Sequence, residues 1–133
     1  MLTWWQGTGL GGLSTGVDYI YNSRYRQIAT VQAGGGLSAD GHEFLITPQN
    51  TALILSYTSA TADLTSIGGP PNQTVINGVV QEISIATGKV LFSWNSADHV
   101  PYSEASSRCP RPPARRGTGT TSTRCTWPVT ATC

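Results

Sequence analysis

Gln81-Glu82-Ile83-Ser84-Ile85-Ala86-Thr87-Gly88-Lys89-Val90-Leu91-Phe92-Ser93-Trp94 sets β-branched and aromatic residues on both sides of a four-residue break. Such residues favour the half-buried, pleated surface of a strand. A break as short as residues 86–89 joins antiparallel neighbours, and Gly88 is free to take the positive φ that a tight turn needs. Followed backwards, the period of two holds to residue 75. The stretch therefore predicts a hairpin of residues 75–85 with residues 90–94.

The same period recurs outward from this hairpin. Residues 2–6 read as a strand entering a glycine-rich turn at Gly7, Gly9, Gly11 and Gly12. Residues 17–21 form a second strand, broken by Asn22-Ser23, and residues 28–33 a third, closed by Gly34-Gly35-Gly36. Residues 43–47 and 52–57 flank Pro48-Gln49-Asn50, whose residue types are those of a turn. Gly68-Gly69-Pro70-Pro71 is a hard break. About seven short strands spaced roughly every 10–14 residues, with no helical stretch, predict an all-β sandwich, barrel or propeller.

Composition sorts the chain into two parts. Residues 1–104 carry Arg24, Arg26 and Lys89 against Asp18, Asp40, Glu43, Asp63, Glu82, Asp98 and Glu104, a net of 3 − 7 = −4. Residues 105–133 hold the other five arginines and all three cysteines, with no acid, so their net of +5 restores the overall +1. The body has no basic face for a phosphate backbone, and the arginines after it lack interleaved aromatics, so no nucleic-acid partner is expected. Charged residues make up 11% of the chain, against about 25% in an ordinary soluble domain. Gly, Ser and Thr replace them, which suits a secreted or surface β-protein. An odd cysteine count gives no disulfide framework. No apolar run approaches the ~18 residues of a membrane span, and Met1-Leu2-Thr3-Trp4-Trp5 does not open like a signal peptide.

Two histidines are the candidate catalytic groups, and each neighbours an acid. His42-Glu43 follows Asp40-Gly41 at the start of a strand, and Asp98-His99 follows a strand end at Ser96. A histidine beside a carboxylate has the composition of a general base or nucleophile. The local sequence reads more simply as each imidazole capping a turn by bonding a nearby backbone group. Two histidines with adjacent acids do not make the ligand spacing of a zinc site, so no metal and no cofactor are expected. Trp4 and Trp5 point to opposite faces of their strand. One enters the core, and the other packs between sheets or offers an aromatic platform to a phenolic ligand, which makes the pair candidate substrate-binding residues. Gly34-Gly35-Gly36 lacks the Lys-Ser/Thr of a phosphate loop.

The series Leu2-Thr3-Trp4-Trp5-Gln6-Gly7, His42-Glu43-Phe44 with Thr47-Pro48, Thr51-Ala52-Leu53-Ile54, Gln81-Glu82-Ile83 with Thr87-Gly88-Lys89-Val90-Leu91-Phe92-Ser93-Trp94, and Asp98-His99-Val100 resembles the arylsulfotransferase (arylsulfate sulfotransferase-like) family of actinobacterial and fungal type. The likeness covers about residues 1–104 and departs from the pattern at Gly41, where an apolar residue is expected. It implies a partial β-propeller of about two quinoprotein-like blades over residues 1–104. It also implies a secreted or cell-surface setting, and transfer of a sulfuryl group from an aryl sulfate to a small phenolic acceptor through a sulfated histidine, without a nucleotide donor. His42 and His99 match family positions; which of them is the nucleophile stays open.

The family pattern extends beyond both ends of the chain, so a fragment, inactive by itself, is expected. Read one base out of frame, the codons of residues 117–133 permit Trp-Asp-Tyr-Phe-His and then Asp-Gly-Asn-Leu, close to the family's continuation. Residues 105–133 are accordingly expected to be a frameshifted, disordered tail, which the coding DNA around codons 100–133 decides. The other reading of the whole is a non-catalytic propeller module that binds a ligand or protein.

Overall fold

The computed structural model describes residues 1–10 and 13–104. The expected disordered tail at 105–133, with its cysteines and arginines, lies outside the described residues. Among the described residues, seven strands form two antiparallel sheets. The first holds β1 (Leu2–Leu10), β2 (Leu13–Tyr21) and β3 (Gln27–Val31); the second holds β4 (Phe44–Ile46), β5 (Thr51–Ala62), β6 (Gln73–Ser84) and β7 (Val90–Asn95). In both, spatial order follows chain order. A four-stranded meander of this kind is the blade from which β-propellers are assembled. The described residues are all-β, with one four-stranded and one three-stranded blade-like sheet of a partial β-propeller. Among the described residues no helix is long and apolar enough to cross a membrane.

The hairpin expected at residues 75–94 is present. Val80 pairs with Trp94, Gln81 with Ser93 and Glu82 with Phe92, and a bulge then brings Ile83 opposite Val90. Gly88 turns the chain at φ +68° and returns its N–H to the Ser84 carbonyl at 2.8 Å. Along β6 the odd positions Val75, Val79 and Ile83 are buried, as a period of two requires.

β1 runs further than the sequence suggests. It continues through Gly7 and Gly9 to Leu10, paired with β2 from Leu2↔Tyr21 to Leu10↔Leu13. Gly7 is a strand residue because the Trp5 ring lies across it and across Gly16 of β2. A Cβ on Gly7 would come within 2.5 Å of the Trp5 ring, and one on Gly16 opposite within 2.6 Å. The indole takes the space that side chains would fill, at the cost in strand propensity that glycine carries.

The core lies between the sheets. Ile20 and Val31 of the first meet Ala52, Ile54 and Ile83 of the second, with Ala39 of the β3–β4 connection between them. Each fully buried isoleucine or valine side chain here contributes about 1.5–3 kcal/mol. Gln81, buried in the same layer, clamps the connection by accepting from the Gly34 N–H at 2.8 Å.

Candidate active site

The β3–β4 connection is bound to both sheets, and this builds the site. Past Val31 the outer edge of β2 is open, and Ala39 occupies it: the Gly16 N–H donates to the Ala39 carbonyl at 2.9 Å. Asp40 in turn donates its N–H to the Leu55 carbonyl of β5 at 2.8 Å, and the Ser56 hydroxyl donates to the Ser38 carbonyl at 2.7 Å. A fourth hydrogen bond, from β1, comes from Trp5, whose indole Nε1–H donates to the Ala39 carbonyl at 3.1 Å. The backbone on either side of Asp40 is therefore fixed by three strands.

The Asp40 side chain is fully buried and fully engaged. Oδ1 accepts from the Ser14 N–H at 3.1 Å and from the Ser14 hydroxyl. Oδ2 accepts from the His42 N–H at 3.1 Å, an Asx turn, and lies 2.6 Å from His42 Nδ1. The Ser14 hydroxyl also accepts from the Gly41 N–H at 2.8 Å, which closes the turn. Burial works against the ionised carboxyl, but the hydrogen bonds from Ser14 and from the ring and backbone of His42 outweigh it, and Asp40 titrates below the usual carboxylate range. An ionised carboxylate only accepts, so His42 presents its Nδ1–H to it. The imidazole itself is 64% exposed. The result is a solvent-facing histidine held from behind by a buried anion.

Asp18 lies on the same buried face of β2 as Ile20. Its Oδ2 has no hydrogen-bond partner among the described residues. Burial, and then the charge of Asp40, raise its carboxyl to about 6. The folded state thus holds this proton more tightly than the unfolded chain, so the stability cost of Asp18 is small at pH 4, grows between about pH 4 and 6, and is full above 6. Asp18→Asn removes the ionisation. The variant is expected to gain roughly 1–3 kcal/mol at pH 7 and close to nothing at pH 4. Thermal unfolding at the two pH values checks this; an equal gain at both would exclude charge as its source.

The other candidates fall in separate places. His99 stacks on Trp94 with ring centroids 5.2 Å apart and planes 6° off parallel, at the end of the short 3-10 turn Ser96–Asp98. Its backbone N–H donates to the Ser96 carbonyl. No hydrogen bond, ion pair or ring contact among the described residues joins it to His42. Trp4 is 48% exposed and packs against Tyr21 at 4.7 Å. Trp5 lies over Gly7, Gly16 and Gly41, and a Cβ on Gly41 would sit only 3.0 Å from its ring. The departure at Gly41 thus lets the indole rest on the turn that carries His42. Among the described residues no group of three or more His, Cys, Asp or Glu is placed to hold a metal ion.

Beside Asp40 opens a cleft of about 350 Å³, lined by Ser14 and Thr15 of β2, Leu37 and Ser38 of the connection, Tyr57 of β5 and Ile76 of β6 among others. The Tyr57 hydroxyl points to Asp40 Oδ2 at a long 3.5 Å. Burial and the Asp40 charge raise its pKa, which keeps the phenol protonated. Asp40, Ser14 and Tyr57 are the residues of this site that the sequence did not single out. The available signal was the Asp-x-His spacing, which is that of an Asx turn.

The family model Arylsulfotransferase (ASST) matches residues 1–123. The chain belongs to the arylsulfotransferase family. No curated protein and no solved structure matches it. Membership assigns a sulfotransferase-type function at the level of the family, and an aryl compound as its small-molecule substrate. The arylsulfotransferase match takes in both blades, the β3–β4 connection and the Asp40–His42 pair.

Proposed function

We propose that His42 is the nucleophile of sulfuryl transfer from an aryl sulfate to a phenol. The observation that carries this reading is the 2.6 Å contact between His42 Nδ1 and buried Asp40, on an imidazole otherwise open to solvent. With Nδ1–H given to Asp40, the neutral ring keeps its lone pair on Nε2, facing outward. Nε2 attacks sulfur, the N–S bond forms, and the S–O bond to the aryl group breaks. The phenolate departs and takes a proton from water. The sulfurylated ring now carries positive charge, which the Asp40 carboxylate stabilises at close range in a buried setting. In the second half the oxygen of an acceptor phenol attacks sulfur and gives its proton to the hydroxide left by the first half, re-forming water, while the N–S bond breaks and its electron pair returns to Nε2. Sulfur stays at one oxidation level throughout, and no further reactant enters the balance.

His99 stacks on Trp94 and has no carboxylate partner among the described residues, so it is assigned no chemical role. The test is covalent labelling. In a frame-corrected, full-length protein, radiosulfur-labelled nitrophenyl sulfate is expected to leave label on a peptide containing His42. The label should disappear in His42→Ala and persist in His99→Ala. Label retained in His42→Ala would overturn the assignment.

A further inference from the structure

We propose that Ser14 is a positioning residue for sulfuryl transfer: reaching across from β2, it holds the Asp40 carboxylate in the plane that aims Oδ2 at His42 Nδ1. Its place in the reaction rests on the reading of His42 above, whereas its hold on Asp40 rests on geometry. The backbone around Asp40 is already fixed, since the Ala39 carbonyl accepts from Gly16 and the Asp40 N–H donates to Leu55. What stays free is rotation of the carboxyl about its last bond, a torsion with broad, shallow preferences. Ser14 removes that freedom. Its backbone N–H, at 3.1 Å, and its hydroxyl both donate to Oδ1. With one oxygen held by two donors from one residue, the other is directed at the His42 ring, 2.6 Å away.

The hydroxyl also makes a bond that the backbone of residue 14 cannot. It accepts from the Gly41 N–H at 2.8 Å. An amide N–H only donates, so a hydroxyl lone pair takes this bond and the hydroxyl hydrogen is committed to Asp40. One side chain thus ties both the acid and the residue that separates it from His42. Burial raises the Asp40 carboxyl, and the Ser14 hydrogen bond is the largest of the opposing influences that bring it below its usual range. The Tyr57 hydroxyl also faces Oδ2, but at 3.5 Å it is too far to direct the carboxylate. Ser14 lines the cleft beside Asp40 as well, so the competing role is a direct contact with substrate.

Two variants separate these roles: Ser14→Ala deletes the hydroxyl, and Ser14→Thr keeps it on a residue that suits a strand. Ser14→Ala is expected to stay folded, because the backbone donor to Oδ1 remains and the exposed Gly41 can give its N–H to water. Nitrogen-15 spectra of the intact chain, labelled at its two histidines, report the tautomer of each at about pH 8, where an ordinary imidazole is neutral. In the parent, His42 is expected to carry its hydrogen on Nδ1. In Ser14→Ala a mixture of both tautomers should appear, and in Ser14→Thr the parent signal should return, with His99 the same throughout. In the frame-corrected, full-length protein, Ser14→Ala is expected to lower kcat about 10–100-fold, the range carried by a hydrogen bond to a charged group. KM should change little, because the effect acts through Asp40 on the ring. Ser14→Thr should restore the rate. An unchanged His42 tautomer in Ser14→Ala, a rise in KM with kcat kept, or a fall in kcat that Ser14→Thr does not recover overturns the proposal. A tautomer shift in a protein that takes no label on His42 retains the hold of Ser14 on the ring and removes the nucleophile. Label on His42 with a tautomer indifferent to Ser14→Ala does the reverse, so the two readings fail separately.

Discussion

In a frame-corrected, full-length protein, Asp40→Asn is expected to slow sulfuryl transfer by about 10³–10⁴-fold, the loss seen when the acid that orients a catalytic histidine becomes an amide. The carboxylate accepts from Ser14 through Oδ1 and from the backbone and ring of His42 through Oδ2. Asparagine has one acceptor oxygen and an NH₂ that only donates. If the oxygen keeps the Ser14 side, the amide hydrogens face His42, and its ring is driven to hold its hydrogen on Nε2. The lone pair then points inward, away from any substrate. If the oxygen turns toward His42, the Ser14 N–H loses its partner. Either way the positive charge of the sulfurylated ring loses its counter-charge. The fall should appear in kcat with KM little changed, because the interaction is strongest after the N–S bond has begun to form. A stability loss of about 1–3 kcal/mol accompanies it, from the unsatisfied buried group. Steady-state transfer rates taken well below the variant's unfolding midpoint separate the two effects. A rate within tenfold of the parent would show that the imidazole does not depend on Asp40.

That Asp40 is the centre of the site could not be read from the chain. His42 has an acid two residues before it and another directly after it, and sequence gives no reason to prefer Asp40 over Glu43. The fold decides: Asp40 is fully buried while Glu43 is exposed. That selection depends on Ser14 arriving from β2, which is a contact across the β3–β4 connection and leaves no local trace. Asp18 was hidden for a related reason. In Val17-Asp18-Tyr19-Ile20-Tyr21 the face of Val17, Tyr19 and Tyr21 looks the more apolar, yet it is the face of Asp18 and Ile20 that is buried. By contrast the β6–β7 hairpin was legible, because its period of two and its turn glycine lie within one short segment. Glycine misleads in β1, where it is read as a turn signal but serves as the floor beneath Trp5.

Trp5→Ala is expected to cost about 2–4 kcal/mol of stability, somewhat less than a fully buried tryptophan because part of the ring is exposed. Three glycines are shaped to this ring, and none can supply a side chain to fill the space it leaves. The indole N–H also holds the Ala39 carbonyl, one residue before Asp40, while its ring rests on Gly41, one residue after. Removing it frees both neighbours of Asp40, so transfer should fall even where the variant remains folded. Trp5→Phe retains most of the packing and loses only the hydrogen bond, for about 1 kcal/mol. The pair of variants also separates this role from the substrate contact that the sequence suggests for Trp5. If Trp5 acts by holding the turn, Trp5→Ala lowers the unfolding midpoint and kcat together and leaves KM nearly unchanged. If its ring is instead a platform for the phenol, KM rises in Trp5→Ala while the unfolding midpoint holds, and the glycine floor beneath it has no bearing on Asp40.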